Sequence, residues 1–170
     1  MNFSLDEIEN DEQFEELIVA YFKDIKKDGA NVKLYPSGTG ADGGRDILVE
    51  FTVDDNIDTF QRKWVIQCKF HNSNISTDKI ADINIPTLIH SYGASGYLLI
   101  CKKRPTSKLT ELFERLEQNC SFKHKYKIWS GTQLIDIILG AKASLRQQFF
   151  PKYYEYECEK FNKNNLSNLL

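Results

Sequence analysis

Two short stretches carry the residues whose types and spacing can do chemistry. The first is Gly40-Ala41-Asp42-Gly43-Gly44-Arg45-Asp46-Ile47-Leu48-Val49-Glu50. The second is Trp64-Val65-Ile66-Gln67-Cys68-Lys69-Phe70. Residues two apart in a strand share a face, so Gln67 and Lys69 point one way while Ile66, Cys68 and Phe70 point toward a core. An antiparallel hairpin joining the two stretches brings the start of the first beside the end of the second. Asp46 then lies close to Gln67 and Lys69. A carboxylate and a neutral amide oxygen suit a hard divalent cation, which takes oxygen ligands and keeps several waters. Such a cation acidifies a bound water and neutralises charge building on a phosphate. A lysine beside it can orient or deprotonate the attacking water, or stabilise the developing charge. The chemistry this predicts is hydrolysis of a phosphodiester. The glycines from Gly38 to Gly44 let the backbone turn tightly and approach a substrate closely.

Alternating elements must position these groups. Phe14, Leu17, Ile18, Tyr21, Phe22 and Ile25 recur at helical spacing, with Asp28-Gly29 as the stop. Strands are predicted over residues 31–35, 46–52 and 63–70, with a polar hairpin connection at 54–59. Residues 77–92 read as helical, with Pro86 kinking or dividing the segment. A buried strand over 96–102, a helix over 106–117, a strand over 126–129 and helical stretches over 133–139 and 145–149 follow. Three consecutive strands suggest an antiparallel meander, and the later alternation suggests parallel strands with helical crossovers. The fold class expected is therefore α/β with a mixed sheet flanked by helices.

The two stretches resemble the Mrr-like branch of the PD-(D/E)XK nucleases, through Asp-Gly-Gly-x-Asp followed after a hairpin by Gln-x-Lys. Phe14-Glu15 in the opening helix, Tyr97-Leu98-Leu99-Ile100, and Ile128-Trp129-Ser130-Gly131-Thr132-Gln133-Leu134 match further stations, so the resemblance covers residues 11–140. It implies a restriction-endonuclease-like core. It also implies that Asp46 binds metal, that Gln67 stands at the usual Glu or Asp position, that Lys69 is the catalytic lysine and that Glu15 helps hold metal. The implied cofactor is Mg2+, with Mn2+ as a substitute. The implied activity is that of an endodeoxyribonuclease acting on DNA in preference to RNA, an effector in restriction and anti-phage defence. A neutral Gln67 removes a charge from the metal site, which Asp42 or Glu50 would have to restore. Arg45, Lys63 and His71 are candidate nucleic-acid contacts, with Lys102, Lys103 and Arg104 as a second basic group. Mrr-like domains are commonly fused to a sensor or ATPase module. Cutting both strands needs two active sites, so a homodimer or higher oligomer is also expected.

Composition bounds these expectations. The 170 residues, 41% hydrophobic and 27% charged, suit one soluble domain with its own core. The domain is placed at 1–150, with 151–170 as a tail linking to a further domain or partner. The formal net charge of -2 offers no general basic field, so any phosphate contacts must come from a local patch. The acidic start Met1-Asn2-Phe3-Ser4-Leu5-Asp6 does not read as a signal peptide, and no run reaches membrane-spanning length, so a cytoplasmic protein without membrane contact is expected. Cys68, Cys101, Cys120 and Cys158 lack zinc-ligand spacing and read as buried free thiols. Four alternatives stay open beside the main reading, the first being that Glu15 is only a surface acid of its helix. Asp46 could be only a turn residue, and Gln67 and Lys69 only the solvated face of a strand. The domain as a whole could be a catalytically silent module that binds nucleic acid or protein. The string Gly38-x-Gly40-x-x-Gly43 also fits a dinucleotide fingerprint, but that needs a helix directly after it, and strand-like residues follow.

Overall fold

The computed structural model describes residues 2–25, 30–36 and 45–167. Helix α1 spans Asp11–Asp24 and is followed by strands β1 (Ala30–Pro36), β2 (Ile47–Asp54) and β3 (Thr59–Lys69). Helix α2 (Ile85–Ser91), strand β4 (Gly96–Cys101), helix α3 (Ser107–Gln118) and strand β5 (Lys125–Trp129) come next. Helices α4 (Gly131–Gly140), α5 (Ala143–Phe149) and α6 (Pro151–Ser167) complete the order. The five strands form one sheet in the order β1-β2-β3-β4-β5. β1, β2 and β3 pair antiparallel, while β3–β4 and β4–β5 pair parallel. The expected meander with parallel strands added is thus the observed architecture. The glycine-dense turn, Asp42 and the Asp28-Gly29 stop lie outside the described residues.

Both faces of the sheet are covered, and the strand sequences show why. β4 is buried at every position, because its apolar run has no polar face to offer water. On one face Ile66, Leu98 and Ile100 pack against Phe14, Leu17 and Ile18 of α1, Leu134 and Ile138 of α4, and Leu145 of α5. On the other, Val65, Tyr97, Leu99 and Cys101 pack against Ile85 and Ile89 of α2 and Leu109 and Phe113 of α3. The side chain of Gln67 therefore emerges into the second core rather than onto a solvated face; the residue is only 6% exposed. That burial overturns the alternative in which Gln67 belongs to a solvated strand face.

The local stops follow from the residues that make them. Asn10 caps α1 by accepting from the Gln13 N–H at 2.9 Å. Pro86 divides the 77–92 segment: a 3-10 turn covers Thr77–Ile80, and Pro86 opens α2, where its missing N–H costs no helical bond. Ser130 and Gln133 form a capping box that starts α4 two residues earlier than the apolar periodicity indicated. The segment from residue 151 onward begins as a docked helix. The Glu7 carboxylate accepts from the N–H groups of Lys152 and Tyr153 at 2.9 and 3.1 Å, an acid placed at a helix N-terminus. Phe3 meets Phe150 and Tyr153 edge-on at ring-centroid distances of 4.7 and 4.8 Å. All four cysteines are free; Cys101 is buried as expected, but Cys158 is exposed, because it lies on the solvent side of α6. No helix among the described residues is long and apolar enough to cross a membrane.

Candidate active site

Asp46 sits where the hairpin ladder stops. The last residue pair of the β2–β3 ladder is Ile47 with Ile66. Asp46 lies one residue before it and donates its backbone N–H to the Ile66 carbonyl at 3.0 Å. Beyond that point β3 has lost its neighbour, and the Cys68 N–H would face an empty position. The Asp46 side chain fills it: Oδ2 accepts from the Cys68 N–H at 2.5 Å. A carboxylate thereby replaces the missing strand partner and is pinned at Cys68, the residue between Gln67 and Lys69. Burial raises the Asp46 pKa, the Cys68 N–H and the Lys69 ammonium pull it back down, and Asp11 adds to the rise. The same Coulombic neighbourhood reaches α1. Glu15 is also pushed up, first by burial, then by Asp46, Asp11 and Glu12.

Gln67 is held by a residue that its own strand does not reveal. Tyr97 on β4, fully buried, donates its hydroxyl to Gln67 Oε1 at 2.7 Å. Burial holds the Tyr97 phenol far above its usual pKa range, so the phenol stays a proton donor and selects the carbonyl end of the Gln67 amide. A carbonyl oxygen has two acceptor positions, and Tyr97 occupies one. A tyrosine inside an otherwise aliphatic strand was the available signal, because a buried phenol needs a polar partner.

Lys69 ends β3 and is partly exposed. Its neighbours anchor the strand: Phe70 meets Phe14 of α1 at a centroid distance of 5.7 Å. That ring contact also fixes α1, so Glu15, next to Phe14, is carried toward the end of β3 where Asp46 lies. Asp46, Gln67, Lys69 and Glu15 are thus gathered at one end of the sheet by three different elements. Asp11 joins their acidic surroundings, and nothing in the sequence marked it out.

Other candidates lie elsewhere. Arg45 adjoins Asp46 and places its guanidinium 4.7 Å from the Tyr92 ring centroid at the end of α2. His71 lies two residues beyond Lys69 and is partly exposed. Lys63 is six residues before Lys69 and pairs with Glu50 at 3.5 Å. Glu50 is buried between Lys33 and Lys63, its cross-strand neighbours on either side. Four residues of strand, roughly 13 Å, separate Glu50 from Asp46, so Glu50 does not restore the charge that Gln67 lacks. Lys102 is a correction to the second basic group. It is 8% exposed, with Nζ 3.2 Å from Asn72 Oδ1 and 4.0 Å from the Phe70 ring centroid, which makes it a packing residue.

Among the described residues no three His, Cys, Asp or Glu side chains form a cluster that could hold a metal ion. A zinc-type cage of nitrogen and sulfur ligands is therefore not what these residues build. Two carboxylates, of which Asp46 helps to raise the proton affinity of Glu15, together with the second acceptor position of Gln67 Oε1, suit a hard cation such as magnesium, which binds few protein oxygens and retains waters.

A solved structure of MspJI restriction endonuclease in complex with a 27-mer oligonucleotide superposes with a TM-score of 0.52 at 17% identity, covering 74% of this chain and 27% of that one. The DNA modification-dependent restriction endonuclease AspBHI gives a TM-score of 0.44 at 9% identity, over 81% of this chain and 38% of that one. The chain thus spans well under half the length of either. No curated protein matches it. The restriction endonuclease family model of the Mrr catalytic type matches residues 5–138, the stretch that contains α1, the whole sheet and all four gathered side chains. With that match over most of its length, the chain belongs to the Mrr-type restriction endonuclease family.

Proposed function

We propose that the chain is a metal-dependent endonuclease domain that hydrolyses DNA phosphodiester bonds, as an effector in restriction or anti-phage defence. The observation that carries this reading is the hydrogen bond from the Cys68 N–H that pins the Asp46 carboxylate beside β3, where Lys69 acts on its charge. Asp46, Gln67 Oε1 and Glu15 would hold Mg2+, or Mn2+ in its place. The bound cation supplies an acidified water and neutralises charge on the phosphate. Lys69 orients the attacking water or takes its proton as the water oxygen bonds to phosphorus and the bond from phosphorus to the leaving sugar oxygen breaks, that oxygen taking up a proton from solvent. Asp46 holds its carboxylate still through a backbone hydrogen bond, so little reorganisation is needed when charge builds. Arg45 and His71, flanking this cluster in the chain, are the cations best placed to meet neighbouring phosphates; Lys63 is matched to Glu50 instead.

Supercoiled plasmid tests the proposal. Wild type should nick or linearise it with magnesium or manganese and not in chelator. Lys69→Ala should keep the fold but cut about a hundredfold more slowly or worse, the range for a lost general base or electrostatic contact. Equal cutting by both proteins would remove Lys69 from the chemistry. No cutting by either, with either metal, would favour a silent binding module.

A further inference from the structure

A second concavity lies on the α1 face of the sheet, toward the opposite end of β3 from Lys69. It encloses about 380 Å³. Its walls are the rings of Phe22, Phe51, Trp64 and Trp129, with Ile66 and Leu98 among the residues that line it. Phe22 and Trp129 lie nearly parallel, 9° apart with centroids at 5.9 Å. Gly96 makes room for Trp64: a Cβ there would come within 2.8 Å of the indole and 2.6 Å of the Lys125 carbonyl oxygen. The rim is cationic, formed by Arg62, Lys125 and Lys127, and among the described residues no aspartate or glutamate lines the cavity. Arg62 rests over the Trp64 ring at 5.3 Å. Lys125 and Lys127 share the Glu117 carboxylate, at 3.3 and 3.1 Å, so among the described residues two positive charges meet one negative charge there.

We infer that this cavity is a binding site for a nucleotide, distinct from the catalytic cluster. Its size is that of a small-molecule site and too small for a docked helix. Flat aromatic walls suit a planar base, because stacking on a ring face is favourable for any base. Arg62 and the lysine pair suit a phosphate, with Arg62 the stronger contact because Glu117 already partly offsets the two lysines. Seven residues of strand, roughly 23 Å, separate Arg62 from Lys69, so one nucleotide cannot occupy both sites. The inference does not rest on the nuclease reading.

Trp64 and Trp129 are the chain's two tryptophans and both line the cavity, so intrinsic emission reports on it directly. Adenosine 5'-monophosphate should be titrated into the full chain in chelator, in the wild type and in Asp46→Asn. A saturable change in emission is expected in both, with a Kd of about 1 mM or tighter. Adenosine alone, inorganic phosphate alone and decanoate should each bind at least tenfold more weakly, because each lacks the ring or the phosphate. Arg62→Gln, at an exposed position that leaves the core intact, should weaken the nucleotide by a similar factor. No saturable response to the nucleotide would overturn the assignment. So would decanoate binding as tightly, or an affinity unchanged in Arg62→Gln. Plasmid cutting would be unaffected by any of these failures, so the two readings stand or fall separately.

Discussion

Replacing Tyr97 by phenylalanine deletes one oxygen from the middle of the fold and tests how the amide of Gln67 is held. The ring itself should stay in place, since it packs against Phe113 with centroids 6.1 Å apart and the residue is fully buried. What disappears is the 2.7 Å hydrogen bond to Gln67 Oε1. A neutral hydrogen bond contributes about 1 kcal/mol net, and a buried acceptor left without a donor costs about 1–3 kcal/mol. Stability without metal should therefore fall by about 1–2 kcal/mol. For a chain of this length that lowers Tm by roughly 2–8 °C. The functional loss should be larger than the stability loss, because the amide can then rotate its nitrogen toward the proposed metal position. Residues that orient a metal ligand typically account for about 10–100-fold in affinity or activity. Calorimetric magnesium titration and plasmid cutting across magnesium concentrations would read that effect, as a raised metal requirement with the same saturating metal preference. A double-mutant cycle with Gln67→Met supplies the control. Replacing both partners by apolar groups should cost less than the sum of the single changes, because no acceptor is then left stranded. Costs that add to within about 0.5 kcal/mol would mean the two side chains do not depend on each other, and the orienting role would be refuted.

Three further outcomes follow from the same site and its supports. Asp46 and Glu15 have folded-state pKa values raised mainly by burial, so the stability each contributes is fully present below its unfolded pKa and is lost as pH rises through the folded value. Asp46→Asn should then lose magnesium binding while the metal-free fold, compared with wild type by urea midpoint, becomes relatively more stable from acid toward neutral pH; a difference that shrinks or reverses over that range would contradict the burial argument. Gln67→Glu adds a charge at the same reach and should keep or tighten metal binding in calorimetry, whereas Gln67→Leu should stay folded and lose activity; full activity in the leucine variant would take Gln67 out of the site. Arg146, 9% exposed, donates from Nη1 to the carbonyls of Ile138, Leu139 and Ala141 and pairs with Glu157, so it closes the end of α4 and holds α6. Arg146→Met keeps much of the apolar stem but strands those carbonyls, and should lower stability by about 2–4 kcal/mol in urea unfolding, with a shift under 0.5 kcal/mol arguing that water takes over the caps.

The order of elements and the mixed sheet were legible from the sequence alone. Helical and alternating apolar spacing report local geometry, and each strand and helix around the site carries that spacing within its own residues. The adjacency of Asp46 to Gln67 and Lys69 was legible for a related reason: a short hairpin leaves few registers, and side-chain alternation decides which residues share a face. Tertiary structure decided the rest. Whether the Gln67 face met water or a second core depended on α2 and α3, which lie tens of residues away and cover that face. The hydroxyl of Tyr97 reaches Gln67 only because β4 pairs parallel to β3 in a register that places Tyr97 opposite Val65, two residues before Gln67. Lys102 looked like a phosphate contact from its place in a basic run, yet the end of β4 folds it over Phe70 beside Asn72. Glu50 and Lys63 could be assigned to metal and DNA until the sheet set them side by side as a cross-strand pair. Periodicity states which residues share a face, whereas the burial, charge and hydrogen bonding of that face come from distant segments whose placement no local pattern encodes.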